Sequence, residues 1–268
     1  MKKVLMVFIC LLITGISESQ INWLRNFDAA KSIAAKSKKL IVIDFWASWC
    51  GPCTRMDREL WNSPELDESA ENFVALKIDV DGDKNTVSQY GVRGIPKVMI
   101  ITSGGEVIWE KDGYDNIQSF LPVLKAIPGN VGDLNRKSLI AIESRKDYEA
   151  NYLAGLEYQR VGKEIKDRNL KDSFLSSSSR YFSRAGNLCK DKTRVLEIEL
   201  AMVLNDVYNN HYQKALKQIE KMDPAPENES TEELRHFILA LCYKGISDKE
   251  NYQREKQLVK KPEFLAEL

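Results

Sequence analysis

The chain has 268 residues, enough for roughly two domains of ordinary size. Lysine plus arginine and aspartate plus glutamate each number 39, so no excess of positive charge is available to neutralise phosphates, which excludes a general nucleic-acid partner. Five cysteines are too few for a fold built on disulfides, so a buried apolar core must supply the stability.

The first residues have the order of a secretory signal peptide. Residues 1–3 include two lysines, residues 4–13 are all apolar, and small and polar residues follow. The apolar run is about half as long as the roughly 20 residues that a membrane-spanning helix needs. Ser17 and Ser19 have the spacing of a cleavage site. We therefore expect a signal peptide at residues 1–19 and an exported protein, periplasmic or secreted, without a stable membrane span.

Strand-like and helix-like segments alternate over the next hundred residues. The strand-like segments are short, apolar and rich in β-branched side chains, which is typical of strands buried on both faces. The predicted strands are residues 40–47, 73–80, 97–101 and 106–110, and the predicted helices are residues 28–38, 53–61, 84–90 and 116–127. This alternation predicts an α/β fold, with a mixed sheet flanked by helices.

After residue 128 the strand-like segments stop. Apolar residues then recur three and four apart, as they do on one face of a helix. The predicted helices are residues 147–161, 172–188, 194–208, 212–222 and 231–243. The sequence therefore predicts an α/β domain at residues 20–128 and an all-α domain of helical hairpins at residues 129–268.

Parts of the helical half resemble tetratricopeptide repeats. Small residues such as Ala154, Ala185 and Ala240 occupy positions where paired helices of such repeats approach closely. Residues 163–171 interrupt the repeat period, however, so an irregular helical bundle explains the pattern equally well.

The chemistry of the chain is predicted at Cys50 and Cys53. The pair lies where the first predicted strand ends and a helix begins. Helix N-termini carry partial positive charge and free N–H groups, both of which stabilise a thiolate. Cys50 is therefore the predicted nucleophile, and Cys53 the thiol that resolves the mixed disulfide. A Cys-x-x-Cys pair beside an α/β pattern predicts a thiol–disulfide redox site.

Two alternatives would use the same cysteine pair. A zinc site needs about four ligands, but the sequence has no second Cys-x-x-Cys, and its two histidines lie in the helical half. An inert structural disulfide fits poorly beside Trp49 and Pro52, which favour a surface turn. Cys189 and Cys242 could form a second disulfide or remain as buried free thiols.

Residues 23–127 resemble a thioredoxin. The matching segments are Val42-Ile43-Asp44-Phe45-Trp46-Ala47-Ser48-Trp49-Cys50-Gly51-Pro52-Cys53, Tyr90-Gly91-Val92-Arg93-Gly94-Ile95-Pro96, and Gly104-Gly105-Glu106-Val107 with Gly113. They follow, in order, the family's active-site signature, the segment that carries its cis-proline, and its closing hairpin with the groove glycine. The resemblance implies a redox-active disulfide and no cofactor or metal.

The resemblance implies a role for each matched residue. Asp44 would be the buried carboxylate that exchanges a proton with the resolving thiol, and its place in an apolar strand predicts a raised pKa. A solvated position at the strand end is the alternative. Pro96 would be the cis-proline facing the cysteines. The implied substrate groove consists of Trp49, Gly51, Pro52, Gly94, Ile95, Pro96 and Gly113.

The sequence also departs from the family pattern. Thr54 follows the second cysteine where lysine is common, and Arg58 occupies the place of the proline that kinks the active-site helix. Ala75 replaces a lysine near the buried carboxylate, although Lys77 lies on the same strand face two residues later. Residues 61–72 form a longer stretch than in small thioredoxins, similar to exported or membrane-tethered bacterial reductases.

The favoured function is an exported thiol–disulfide oxidoreductase, acting as a protein-disulfide reductase through a Cys50/Cys53 dithiol. Its implied partners are disulfide-containing client proteins and an upstream membrane or soluble reductase, and the helical half would dock a client or that reductase. Two alternatives remain. The helical half could make the chain a binding adaptor with a secondary redox site, or the cysteine pair could be a sensor that alters the contacts of the helical half.

Overall fold

The computed structural model describes residues 21–222 and 229–268. The predicted signal peptide lies outside these ranges, so it remains a prediction. Within them, no helix combines the length and the apolar character that crossing a membrane requires.

Four strands form one mixed sheet in the order β2-β1-β3-β4. The strands are Leu40–Trp46 (β1), Phe73–Asp79 (β2), Lys97–Ile101 (β3) and Val107–Asp112 (β4). Strand β1 pairs in parallel with β2 and antiparallel with β3, which pairs antiparallel with β4. The predicted sheet is confirmed.

The central strand contributes to a separate core on each face of the sheet. Leu40 and Val42 belong to one buried cluster, and Ile41 and Ile43 belong to another. Alternate residues of a strand point to opposite faces, so burial on both sides requires an uninterrupted apolar run. This is the physical reason why β1 could be predicted from sequence.

Short helices flank the sheet. They are Phe27–Ser37 (α1), Gly51–Met56 (α2), Asp67–Ala70 (α3), Lys84–Gln89 (α4) and Leu121–Lys125 (α5), with 3₁₀ turns at Pro64–Leu66 and Ile117–Ser119. Helix α2 continues directly into a π turn, Asp57–Trp61, at the position where the family's helix-kinking proline is replaced by Arg58. A π turn inserts one residue into a helix and is a common cause of a kink.

The rest of the described chain is helical, as predicted. Its helices are Gly132–Glu143 (α6), Tyr148–Glu164 (α7), Arg168–Leu188 (α8), Lys192–Tyr208 (α9), Tyr212–Ile219 (α10), Glu229–Gly245 (α11), Lys249–Lys256 (α12) and Pro262–Leu265 (α13). Asp147, Asp167 and Asp191 cap α7, α8 and α9 by accepting hydrogen bonds from backbone N–H groups. Helices α6, α12 and α13 were not predicted from the sequence, and α8 begins four residues before its predicted start.

One apolar core crosses the predicted domain boundary. Trp109 and Phe120 on the sheet side share a buried cluster with Tyr158 of α7 and Phe174 of α8. Asn135 of α6 adds polar contacts, since its side chain donates to the carbonyl of Lys39 at 3.0 Å and accepts from the N–H of Ser103 at 3.1 Å. The first helices after residue 129 therefore pack against the α/β part. The boundary itself remains a prediction.

A charged cluster reinforces this junction. Glu106, in the turn before β4, accepts hydrogen bonds at 2.7 Å from the hydroxyls of Tyr158 and Tyr181. Arg180 pairs with the other carboxylate oxygen at 2.7 Å. The two tyrosine rings stack with centroids 5.4 Å apart. We call these four residues the Glu106 cluster. It connects the β3–β4 turn to helices α7 and α8.

Candidate active site at Cys50 and Cys53

Cys50 and Cys53 form a disulfide at the N-terminus of α2. Cys50 is the N-cap residue of this helix, and its sulfur accepts a hydrogen bond from the N–H of Cys53 at 3.1 Å. Pro52 lies in the first turn, where a missing N–H leaves no helical hydrogen bond unmade. The N–H groups of the first helical turn, that of Cys53 among them, would stabilise a Cys50 thiolate once the disulfide is reduced.

The disulfide lies below an exposed rim. Trp49 is 68% exposed and Gly51 and Pro52 are also exposed, whereas Cys50 is 4% and Cys53 2% exposed. The indole N–H of Trp49 donates to Asp81 at 2.7 Å, and this hydrogen bond holds the pKa of Asp81 below its usual value. Trp49 is therefore fixed beside the cysteines as a flat apolar surface.

The loop before β3 lies against the disulfide. The Ile95–Pro96 peptide bond is cis, as the family resemblance implies. Ile95 packs against the small apolar cluster that contains both cysteines, and Gly94 beside it is exposed. Ile95, which lies between Gly94 and Pro96 in the chain, therefore brings this loop against the cysteine cluster.

Gly113 is linked to this loop by its backbone. Its N–H donates to the carbonyl of Pro96 at 2.8 Å, and its φ of +74° favours glycine. Arg55 of α2 donates to the carbonyl of Tyr114 at 2.6 Å and so ties the active-site helix to the same loop. Arg55 is a site residue that the sequence analysis did not assign.

Asp44 is buried in β1, three residues before Ala47, which belongs to the same buried cluster as both cysteines. Neither carboxylate oxygen has a hydrogen-bond partner within the described ranges. Burial raises the pKa of Asp44 to about 7, and the positive charge of Lys77 opposes this rise only in part. A carboxyl group with this pKa can both accept and return a proton at neutral pH. The alternative of a solvated strand end is therefore wrong.

Lys77 is the cation nearest to Asp44 in the described chain. The two residues are direct partners in the parallel β1–β2 register, and Lys77 Nζ lies 3.4 Å from Asp44 Oδ2. Lys77 also forms an ion pair with Asp57, the first residue of the π turn. The sequence analysis noted Lys77 but missed Asp57. No local sequence signal marks Asp57, because its partner Lys77 lies on another element, 20 residues away.

Aromatic rings surround this charged group. Lys77 Nζ lies 5.4 Å from the ring centroid of Trp23 and 5.0 Å from that of Trp46. The indole N–H of Trp61 faces Asp44 and lowers its pKa slightly, but no hydrogen bond of ordinary geometry forms. We call Asp44, Lys77 and Asp57 the carboxylate–lysine group.

The remaining cysteines and histidines lie outside this site. Cys189 and Cys242 are both free thiols, and burial raises the pKa of Cys242 to about 12. His211 lies 3.5 Å from Asp206, and His236 lies 2.7 Å from Glu255. Across residues 21–222 and 229–268, no group of three or more histidine, cysteine or acidic side chains is arranged to hold a metal ion.

Comparisons with known proteins concern the α/β part of the chain. The sequence model of the family described as Thioredoxin matches residues 23–124. Thioredoxin 2 of Chlorobaculum tepidum is 40% identical over 88 residues, which are 31% of this chain and 72% of that protein. A thioredoxin of Alicyclobacillus acidocaldarius is 36% identical over 91 residues, 32% of this chain and 80% of that protein.

A solved structure, that of a mutant thioredoxin from Halobacterium salinarum, is 25% identical. The match covers 42% of this chain and 94% of that one, with a TM-score of 0.33.

Proposed function

The chain belongs to the thioredoxin family, and from this premise we propose that it is an exported protein-disulfide reductase whose helical region docks a client or a redox partner. Its thiol–disulfide oxidoreductase activity follows from the family and from the Cys50–Cys53 pair at the active-site position. The direction of electron flow, the export and the docking are the parts that we add.

The observation that carries the proposal is the disulfide at a helix N-terminus, preceded in the chain by Asp44, a buried carboxyl group whose pKa is raised. In the reduced protein the Cys50 thiolate attacks a client disulfide, forms a mixed disulfide and releases one client sulfur as a thiolate. Cys53 then gives its proton to Asp44 and attacks the Cys50 sulfur. The second client thiolate leaves, and the Cys50–Cys53 bond forms.

This cycle moves two electrons from the dithiol to the client, so a further reductant must restore the dithiol. The Gly51–Pro52 pair between the cysteines supports the reducing direction, because it resembles the reducing members of the family. Those have potentials of about −270 mV, against about −120 mV for the strongest oxidant. An exported reductase therefore needs an upstream reductase, in the membrane or soluble, as the electron donor.

Reduction of insulin disulfides tests the activity. We expect Cys50→Ser to abolish it, because serine cannot form the mixed disulfide, while the far-ultraviolet circular dichroism stays unchanged. Cys189→Ser is the matched control, since this half-buried thiol lies in the helical region and should leave the rate unaltered. Full activity of Cys50→Ser would contradict the proposal.

The docking role is supported by the extent of the helical region, which continues well beyond the matched residues 23–124. A Cys53→Ser chain, produced in the native envelope, should hold a client as a stalled Cys50 adduct that mass spectrometry identifies. Excess chain carrying Cys50→Ser and Cys53→Ser should then slow reduction of that client by the wild-type protein. Adding Trp49→Ala to the competitor removes the binding energy that the groove beside the cysteines contributes, so any competition that remains must come from the helical region. Loss of all competition would contradict docking by the helices.

Export is supported by the cationic and apolar order of residues 1–13. We expect the full chain to be recovered outside the cytoplasmic membrane with Gln20 as its first residue. N-terminal sequencing of the fractionated protein measures this, and an uncleaved chain confined to the cytoplasm would contradict it.

A further inference from the structure

The three members of the carboxylate–lysine group differ in how much solvent reaches them. The side chain of Asp44 is 1% exposed, that of Lys77 is 7% exposed, and that of Asp57 is 34% exposed. Lys77 Nζ is in contact with both carboxylates. The group therefore forms a continuous line of ionisable atoms from the core beside the disulfide to the protein surface.

Few other polar groups reach Asp44. The neighbouring elements contribute Lys77 from β2, Asp57 and the unpaired indole N–H of Trp61 from the π turn, and the ring of Trp23 from the N-terminal segment. Trp46, with Arg25 5.6 Å from its ring centroid, covers Lys77 from the end of β1. Among the described residues, Lys77 is thus the one proton-carrying side chain that joins Asp44 to a partly exposed group.

We propose that Lys77 and Asp57 form the route through which Asp44 exchanges its proton with solvent, which makes Asp57 a positioning residue for disulfide exchange. The inference rests on the reductase function proposed above. The family resemblance provides a single lysine near the buried carboxylate. Here a second carboxylate, that of Asp57, extends the line to the surface.

The proton balance of this route is simple. When Cys53 attacks the mixed disulfide, its proton passes to the Asp44 carboxylate. The Lys77 ammonium gives one proton to Asp57 and takes the one held by Asp44, so Lys77 ends in the state in which it began. Asp57 then releases the proton to water or buffer, and the electron balance of disulfide exchange is unchanged.

The geometry predicts effects of opposite sign on the titration of Asp44. The negative charge of Asp57 raises the pKa of Asp44 and the positive charge of Lys77 lowers it. Asp57→Asn should therefore lower the titration midpoint of Asp44, and Lys77→Gln should raise it, each by about 0.5–1 pH unit. Glu59→Gln is the matched control. It also removes one negative charge, two residues after Asp57, but the Glu59 side chain pairs with Arg58 and not with Lys77.

The experiment uses the full oxidised chain and follows the Asp44 carboxyl carbon by nuclear magnetic resonance over a pH series. We expect the two opposite shifts and an unmoved midpoint for Glu59→Gln. Shifts of the same sign, or none, would overturn the inference. This readout does not depend on disulfide reduction, so its failure is distinct from failure of the proposed function.

A second measurement separates the loss of proton transfer from the loss of a charge near Asp44. In dilute buffer, Asp57→Asn should slow single-turnover reduction of a small disulfide by about tenfold, which is less than the roughly 100-fold or more contributed by a group that acts directly on the reacting atoms. Added imidazole should restore the rate by carrying the proton. Lys77→Arg keeps the positive charge, but a guanidinium does not release protons. It should keep the Asp44 midpoint near the wild-type value and still slow the reaction.

An unchanged rate for Asp57→Asn in dilute buffer, or a slow rate that imidazole does not restore, would contradict the route. If the wild-type chain itself fails to reduce the disulfide, the proposed function is wrong, while the titration still tests the arrangement of charges.

Discussion

Two carboxylates, those of Glu106 and Asp44, have very different surroundings in this molecule. Glu106, at the junction of sheet and helices, accepts two tyrosine hydrogen bonds and an arginine ion pair, all at 2.7 Å. Asp44, near the disulfide, has no hydrogen bond within the described ranges and shares one lysine with Asp57. The side chain of Asp44 is 1% exposed and that of Glu106 is 15% exposed.

The difference separates an anchoring group from a reactive one. Burial raises the pKa of Tyr158 and Tyr181 far above the physiological range, so both hydroxyls remain protonated donors to Glu106. Charge-assisted hydrogen bonds of this kind are strong and directional, and suit a junction that must stay closed. Asp44 lacks such donors, so burial is free to raise its pKa to about 7.

The largest expected effect comes from removing the anchor. Glu106→Ala removes the ion pair of the half-exposed Arg180 and leaves two buried hydroxyls without an acceptor. Each unsatisfied hydroxyl costs about 1–3 kcal/mol, so the free energy of unfolding should fall by about 3–5 kcal/mol. Urea unfolding measures the change. The rate of disulfide reduction per folded molecule should stay near wild type, because Glu106 is not part of the site. A loss below about 1 kcal/mol would show that the cluster is not an anchor.

Removing the reactive carboxylate should have the opposite effect on stability. The pKa of Asp44 is about 7 in the folded protein and 3.8 without burial, so the unfolded chain binds fewer protons between these values. The stability cost of Asp44 is therefore absent near pH 4, grows as the pH rises, and is complete above about pH 7. Asp44→Asn should stabilise the protein by about 2–4 kcal/mol at pH 8 and hardly at all at pH 4.

Urea unfolding at the two pH values checks this prediction. The same variant should reduce disulfides more slowly, because Cys53 loses its proton acceptor. Equal stabilisation at both pH values would show that Asp44 titrates as an ordinary carboxylate.

A smaller effect tests the packing between helices α7 and α8, which carry the two tyrosines of the Glu106 cluster. A Cβ atom added to Gly155 of α7 would lie 2.6 Å from a ring carbon of Phe182, whereas one added to Gly186 of α8 would meet Ile198 at 3.7 Å. Gly155→Ala should therefore destabilise the protein by about 1–3 kcal/mol. Gly186→Ala is the matched control and should be neutral or stabilising by up to about 1 kcal/mol. Thermal unfolding of both variants measures the difference, and equal midpoints would contradict this packing.

The sequence was informative where one segment determines its own structure. The apolar run of β1 predicted its strand to within one residue, and the spacing of Cys50 and Cys53 predicted the redox pair. Helix α12 was missed because its charged residues have no clear apolar stripe. Helix α6 was missed because it lies next to the turn taken as the domain boundary.

Contacts between residues far apart in sequence could not be predicted from these local patterns. The hydrogen-bond partners of Glu106 are 52 and 75 residues away in sequence, so nothing near Glu106 marks it as an anchor. Asp57 resembles any solvated helix residue until the structure brings Lys77 against it. Sequence patterns describe local periodicity, whereas these two groups depend on which elements pack together.

The central claim concerns the reactivity of one thiol, and limited alkylation tests it most directly. The reduced protein is treated with iodoacetamide at pH 7, and the modified cysteines are identified by mass spectrometry over time. We predict that Cys50 reacts at least about tenfold faster than the half-buried Cys189, because the helix N-terminus stabilises its thiolate. Cys242 should react last, since burial raises its pKa to about 12. A Cys50 that reacts no faster than Cys189 would contradict the account.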